Sequence, residues 1–478
     1  MSTARTYLVT GGTGFLGQHL VRQLLKEDDA AVVILARSRD RALERLGARF
    51  VTGSVLVPED LDAALAATGR CDGIFHLAGR VERHVERANT LYNLHVNGTR
   101  YVLEAAARAG VKRIVVASTS GTVGVTRDGD GIPNDRSPHT TELVKDWPYY
   151  LSKVYAEKTA VATGERLGLD VILMRPTLLL GPGDDRLSST RDVKLFLDGK
   201  VPFVPTGGLS FVDVRDTAVA FRAAMERGRP GAAYLLGAAN MTMEAFFERL
   251  ENISGVGRPL VSIPDQVARI GARLLDGVLG TVGRSSDLDP ISVEMSQHFW
   301  YIDWSAAIHD LGFAPRDPGE TLYDTVQWLK SHGHLTPGPS REAEPAPDDS
   351  PFSPDRPWSV EARQSDAAWN RPATDAYGER HEHREHHPAP TAWVGQSKVL
   401  NEDLGASGPG LESLVGGLVG GAITGLLGRG KKAEAEPTAR VSHGTHDRTR
   451  RLRRELIAMI EAMDEEDLER LRARVDGR

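Results

Sequence analysis

The chain has 478 residues, 40% of them hydrophobic, with a formal charge of −7 and a sequence pI ≈ 6.1. This length has room for about three domains of roughly 150 residues each, and the mild acidity gives no basis for a nucleic-acid partner. The single cysteine, Cys71, excludes an internal disulfide and fits a reducing compartment.

The first residues carry no charged-then-apolar export signal and run straight into a short strand, so a cytoplasmic protein is expected. Residues 7–10, 31–37, 49–54, 73–79, 113–120 and 169–176 read as strands. Helix-period stretches such as 15–26 and 96–109 lie between them. Such alternation implies βαβ units and a parallel sheet covered on both faces. Val32-Val33-Ile34-Leu35 and Ile114-Val115-Val116 are the continuous apolar strands this burial requires. The expected fold class is therefore α/β, a Rossmann-type doubly wound parallel sheet carried mainly by residues 1–176.

Over residues 177–335 the rhythm breaks. Short mixed elements and the aromatics Phe203, Phe211, Phe246, Phe247, Trp300 and Trp304 suggest a smaller C-terminal substrate lobe, whose last helix ends near Trp328-Leu329-Lys330. Residues 336–410 are rich in Pro, acids, Arg and His, with too few aliphatics to offset the entropy of ordering, and read as a disordered linker. His381, His383, His386 and His387 fall in this setting and read as a solvated cluster, so no metal site is expected. Segment 411–432 is Gly-rich and apolar, but its run 414–428 is shorter than the roughly 18–20 residues a membrane span needs. Its small-xxx-small spacing suits close helix contact. Residues 447–476 read as a charged amphipathic helix, so 411–476 is the expected region of protein or peripheral membrane contact.

The sharpest local signal is Thr10-Gly11-Gly12-Thr13-Gly14-Phe15-Leu16-Gly17, which follows a strand and opens a helix. In such a turn Gly11 permits the tight bend and Gly14 lets backbone approach a pyrophosphate. Gly17 lets helix pack on strand, and Phe15 and Leu16 begin the helix whose positive end faces the phosphates. An acid closing the second strand would accept from a ribose 2′-hydroxyl and repel a 2′-phosphate. This chain has Ala36-Arg37-Ser38-Arg39 there and no acid before Asp40, which favours NADP(H) over NAD(H), with Arg37 making the charge-assisted contact. Ser54 and Val55 close the third strand where an adenine edge would lie.

Tyr149 and Lys153 stand one helical turn apart, about thirty residues after Ser118-Thr119-Ser120. A free phenol has a pKa near 10, but a neighbouring ammonium and an oxidised nicotinamide would stabilise its anion. Tyr149 could then exchange a proton with a substrate oxygen, Lys153 would also hold the nicotinamide ribose, and an upstream hydroxyl would bind the same oxygen. Tyr150 lacks the partner, because its +4 residue is Val154.

Taken with Ile74-Phe75-His76-Leu77-Ala78-Gly79, Asn97-Gly98-Thr99, Arg175-Pro176 and Gly181-Pro182-Gly183-Asp184, these motifs identify a resemblance. Residues 1–335 resemble an extended (atypical) short-chain dehydrogenase/reductase of the NAD-dependent epimerase/dehydratase superfamily. Within it they look closest to the dihydroflavonol-4-reductase and 3β-hydroxysteroid dehydrogenase-like branch. The resemblance implies that Leu77, Ala78, Gly79 and Pro176 line the cofactor. It also implies that the catalytic hydroxyl is Ser120 when the stretch 119–124 is aligned on the family's general form, or Thr119 on the dihydroflavonol-reductase form. His95 stands where the family has an Asn, and reads as a helix residue packing near the cofactor loop. Members often dimerise through the helix bearing the Tyr and Lys, which makes a homodimer an expectation by analogy.

Sugar-nucleotide dehydratases of this superfamily carry adjacent Asp and Glu after the fifth strand, whereas this chain has Gly121-Thr122. Arg186, Arg191 and Arg222 read as surface charges rather than a diphosphate clamp. The resemblance thus implies an NADP(H)-dependent oxidoreductase acting on a carbonyl or alcohol of a moderately apolar small molecule, with a pocket formed by 79–85, 177–180 and 203–211. Two alternatives stay open: an NAD(P)-dependent sugar-nucleotide epimerase, and a non-catalytic dinucleotide-binding scaffold or redox sensor.

Overall fold

A computed structural model describes residues 5–26, 30–82, 87–201, 203–259 and 290–336 of the chain. Apart from Thr336, the expected linker 336–410, the segment 411–432, the helix 447–476 and the histidines at 381–387 lie outside the described residues. So do residues 83–85 of the expected substrate pocket.

In chain order the strands are β1 (Thr6–Thr10), β2 (Ala31–Ala36), β3 (Arg49–Thr52), β4 (Gly73–His76), β5 (Arg113–Ala117), β6 (Asp170–Pro176), β7 (Leu178–Leu180), β8 (Gly208–Asp213), β9 (Ala233–Leu236) and β10 (Ala239–Thr242). Seven of them form one parallel sheet in the order β3-β2-β1-β4-β5-β6-β9, and the other three form a small sheet in the order β10-β8-β7. The helices are α1 (Phe15–Lys26), α2 (Arg41–Arg45), α3 (Pro58–Thr68), α4 (Ala88–Tyr92), α5 (Gly98–Arg108), α6 (Pro148–Leu167), α7 (Arg191–Leu197), α8 (Val214–Arg227), α9 (Met243–Ser254), α10 (Pro290–Met295), α11 (Ser305–Leu311) and α12 (Pro318–Ser331).

Successive strand side chains point to opposite faces, so each apolar strand feeds two cores. Val9, Ile34, Phe75, Val115 and Ile172 join one core with α1 and α8, whereas Leu8, Val33, Ile74, Ile114 and Val171 join another with α3 and α5. The first core consists of buried aliphatics and aromatics, and the second of buried aliphatics. This is the expected doubly wound Rossmann-type architecture.

The strands stop earlier than their apolar runs suggest. The runs 73–79 and 113–120 pair only through His76 and Ala117, because the chain turns at the sheet's C-terminal edge and the remaining residues face what lies above it. The helical stretch expected at 96–109 also differs. Helix begins at Ala88 and passes through a widened π turn at Asn93–Asn97 before α5, a local distortion of the kind that accompanies functional sites.

A third core, containing Phe196, Phe211, Phe246, Phe247 and Trp328, packs α7, α9 and α12 on the small sheet. Two of the aromatics expected in this lobe lie elsewhere. Trp300 stacks on Trp147 at the start of α6, with ring centroids 5.6 Å apart, and Trp304 packs against the large sheet's core. After β7 and β8 the chain returns to the large sheet as β9, which pairs in parallel with β6. No helix among the described residues is long and apolar enough to cross a membrane.

Candidate active site

Ligands of open α/β sheets lie beyond the strands' carboxyl ends, where the strand order reverses. Here that point falls between β1 and β4, both neighbours in the sheet but separated in sequence. The glycine-rich turn occupies it. Gly11 has φ +73°, and a Cβ there would stand 2.5 Å from the Leu77 carbonyl carbon, so a side chain is refused on two grounds. A Cβ on Gly17 would fall on the Gly11 carbonyl oxygen. The Gly14 amide donates to that oxygen at 3.0 Å, and the Leu77 amide donates to the Thr10 carbonyl at 3.0 Å. Leu77, Ala78 and Gly79 therefore run directly beside the turn. Phe15 is half-buried and Leu16 buried at the start of α1.

Arg37, Ser54 and Val55 follow the ends of β2 and β3, which are held together by the Gly53 amide donating to Ala36 at 3.0 Å. Arg37 is exposed and makes no ion pair among the described residues, whereas Arg39 pairs with Glu44 at 3.3 Å. Asp40 caps α2, accepting from the Ala42 and Leu43 amides at 2.8 and 3.1 Å, so its carboxylate is already engaged. Ser54 is a turn residue: its amide donates to Asp60 and its hydroxyl accepts from Leu56. Val55 is buried.

Helix α6 starts with Pro148 at its first turn, where a missing amide hydrogen costs nothing, and carries Tyr149 and Lys153 inward. Tyr149 is half-buried, its ring meeting His95 edge-on with centroids 5.8 Å apart. The Thr119 hydroxyl lies beside its phenol and favours the phenolate. Thr119 is partly accessible, whereas Ser120 is only 4% exposed within a short 3-10 turn, Ser120–Thr122. Of the two hydroxyls left open by sequence, Thr119 is the one that meets the phenol.

The Lys153 ammonium is buried and donates to the Ala117 carbonyl at 2.9 Å. A Cβ on Gly79 would stand 3.5 Å from Nζ, so the β4 loop passes immediately over the ammonium. Burial lowers the Lys153 pKa to about 8, with Glu157 opposing the shift. Burial, and then neighbouring Tyr150, push Tyr149 above its ordinary value, and the Thr119 hydroxyl opposes them. Pro176 is buried at the end of β6.

Two histidines support these groups from below. The Thr99 hydroxyl donates to the His95 carbonyl, so it accepts from His76 Nε2–H at 3.1 Å. His76 Nδ1 then accepts from the Thr10 hydroxyl at 2.8 Å, which in turn receives the Ala78 amide at 3.3 Å. His95 has the opposite tautomer: its Nε2 accepts the Arg80 amide at 3.1 Å, and Nδ1–H donates to Ser152 at 2.8 Å, which passes a bond to the Tyr149 carbonyl. Both imidazoles are neutral. Burial foremost, and the Lys153 charge after it, lower His76 to about 3 and His95 well below its usual value. His95 thus packs between the cofactor-side loop and α6, as its place in the sequence suggests.

Glu157, one turn beyond Lys153, escaped the reading from sequence. It is 2% exposed and forms a bidentate pair with Arg175 on β6, at 3.0 and 2.7 Å. Its partners hold the pKa at about 2 despite the opposing penalty of burial. The available signal was its +4 spacing from Lys153 on a face that also buries Ala156 and Ala160. Among the described residues no cluster of His, Cys, Asp and Glu could hold a metal ion.

The NAD dependent epimerase/dehydratase family matches residues 7–237. A Synechocystis protein provisionally named dihydroflavonol 4-reductase is 31% identical over 341 residues, covering 70% of this chain and 97% of its own. Cinnamoyl-CoA reductase 1 of Arabidopsis thaliana is 28% identical, covering 70% and 91%. The structure of a dTDP-glucose 4,6-dehydratase from Streptomyces venezuelae with NAD bound superposes with a TM-score of 0.52 at 25% identity, covering 69% and 98%.

Proposed function

Because the chain belongs to the NAD dependent epimerase/dehydratase family of oxidoreductases, we propose that it interconverts a carbonyl and an alcohol on a moderately apolar small molecule, using NADP(H). The observation that carries this reading is the Thr119–Tyr149 contact, with the buried Lys153 one turn along the same helix. When bound, the dinucleotide supplies or accepts the hydride. The chain's own residues fit such a group: Gly11 and Gly17 form a cradle that any Cβ would fill, and Gly79 passes over Lys153.

In the reducing direction Thr119 and Tyr149 hold the substrate carbonyl oxygen by hydrogen bonds. Tyr149 gives its phenolic proton to that oxygen as the carbonyl carbon takes the hydride, and the product is the alcohol. The Lys153 ammonium, one turn along the same helix, would favour the phenolate left behind and would donate to the ribose of a bound nicotinamide nucleotide. Exposed Arg37, which makes no ion pair among the described residues, supports a 2′-phosphate at the end of β2, and Asp40 is engaged elsewhere.

Elimination in the manner of a dehydratase is disfavoured. Gly121 and Thr122 offer no carboxylate, and Glu157 is paired with Arg175 and held far below the range of a proton-exchanging acid. Cinnamoyl-CoA reductase and the dihydroflavonol 4-reductase-like protein among the relatives favour carbonyl reduction over sugar epimerisation. The test is nicotinamide oxidation by the full-length protein with a panel of aryl and alkyl carbonyls. Reduction that consumes NADPH stoichiometrically supports the reading. Isomerisation of a nucleotide sugar without net cofactor loss identifies an epimerase, and binding without any turnover leaves a scaffold.

A further inference from the structure

Glu157 stands where four separate segments meet. Its carboxylate accepts from Ser118 just past β5, from Thr122 in the 3-10 turn at 3.0 Å, from His139 in the loop before α6 at 2.8 Å, and twice from Arg175 on β6. Five donors saturate both oxygens, so His139 must present Nε2–H. Ser118 and Thr122 bracket Thr119, the hydroxyl that meets Tyr149, and Arg175 immediately precedes Pro176. The Arg175 guanidinium continues to the Asp135 carbonyl at 3.0 Å, extending the same network to the loop that leads into α6.

We propose that Glu157 is a positioning residue. Its carboxylate locks the hydroxyl-bearing turn and the end of β6 onto the helix that carries Tyr149, and its negative charge lies one helical turn from the buried Lys153 ammonium. This deepens the reading of the site given above and rests on it. The groups facing Lys153 are His76 from β4, His95 from the π turn, and Glu157 from its own helix. The imidazoles are neutral and Tyr149 keeps its proton, so among the described residues Glu157 is the charge that favours the ammonium. On the other side Glu157 faces Arg175 and His139.

The experiment is NADPH affinity of the full-length protein as a function of pH, read by nicotinamide fluorescence, which needs no substrate. In wild type, affinity falls as pH rises through the Lys153 titration, and Lys153→Met flattens that limb. Glu157→Gln is expected to move the limb towards acid by about one pH unit. Ser118→Ala, which removes one bond but keeps the charge, leaves the limb in place. Should Glu157→Gln fail to fold with Arg175 unpaired, Glu157→Gln/Arg175→Met removes both charges and is expected to move the limb the same way. A limb unmoved in the folded Glu157 variant overturns the proposal while leaving the cofactor reading intact. Failure of wild type to bind NADPH or NADH overturns both.

Discussion

The Lys153 ammonium donates to the Ala117 carbonyl across 2.9 Å. This one bond fastens the helix bearing Tyr149 to the final residue of β5, two positions before Thr119. Tyr149 and Thr119 are thereby placed from opposite ends of the same contact. A lysine at this position acts through geometry as well as charge, and arginine, with its planar fork, would not substitute for it.

Tyr149→Phe removes the exchangeable proton and keeps the ring that packs on His95 and Tyr150. Turnover should fall by about 10²–10⁴-fold. NADPH affinity should stay within about twofold, since only a hydroxyl is lost. Steady-state kinetics and a fluorescence titration measure the two quantities, and an undiminished rate would take Tyr149 out of the chemistry.

The two upstream hydroxyls can be separated by paired substitutions. Thr119→Val keeps shape but removes the hydroxyl beside the phenol, and should lower kcat by about 10–100-fold. Ser120→Ala, at a buried site, should leave kcat within about threefold. The reverse order would assign the role to Ser120.

Cofactor choice should turn on Arg37. Arg37→Glu places a negative charge where a 2′-phosphate is expected and offers an acceptor for a 2′-hydroxyl. The NADPH:NADH affinity ratio should drop by about 100-fold, corresponding to about 3 kcal/mol of lost attraction and added repulsion. Arg39→Glu, whose wild-type side chain already pairs with Glu44, should change the ratio far less. Equal effects at both positions would point to general surface charge.

Asp135 gives a stability prediction with a defined sign. Burial raises its carboxyl to about 6 from 3.8, while the Leu235 amide bond and Arg175 oppose the shift. Between those values the folded protein keeps a proton that the unfolded chain has released, so stability declines as pH rises through this window. Asp135→Asn retains an acceptor for the Leu235 amide without the charge. It should be more stable than wild type by about 1 kcal/mol above the window, a figure discounted because the group is only half-buried, and equal to it below. Urea melts at the two pH extremes provide the comparison, and a gap that does not depend on pH would discard the argument.

Much of this arrangement was legible from the chain itself. Phe15–Lys26 is a helix over the expected span because its apolar positions follow the helical period, and the β1 turn is dictated by glycines whose absent side chains leave the needed space. Glu157 was not legible. A glutamate on a helix ordinarily marks solvent, and its burial depends on Arg175, eighteen residues later on a strand whose neighbour relation is settled only by sheet order. The choice between Thr119 and Ser120 likewise depended on where β5 ends, and that end is fixed by tertiary bonds such as Ser118 to Met174 rather than by local propensity. The strand Ala233–Leu236 was missed because four residues give too little pattern to separate it from a loop, although Gly231 and Gly237 frame it.

That late strand governs how the protein could be taken apart. Since β9 docks on β6 only after β7 and β8 have been laid down, strands on both sides of the β7–β8 pair in sequence belong to the large sheet. A fragment stopped at Pro176 would bare the β6 edge and invite pairing with other chains. A chimera joined by a single crossover between relatives would mate a β6 of one parent with a β9 of the other. Recombination that exchanges substrate preference must therefore cut at several joints, or transfer the whole oxidoreductase body at once.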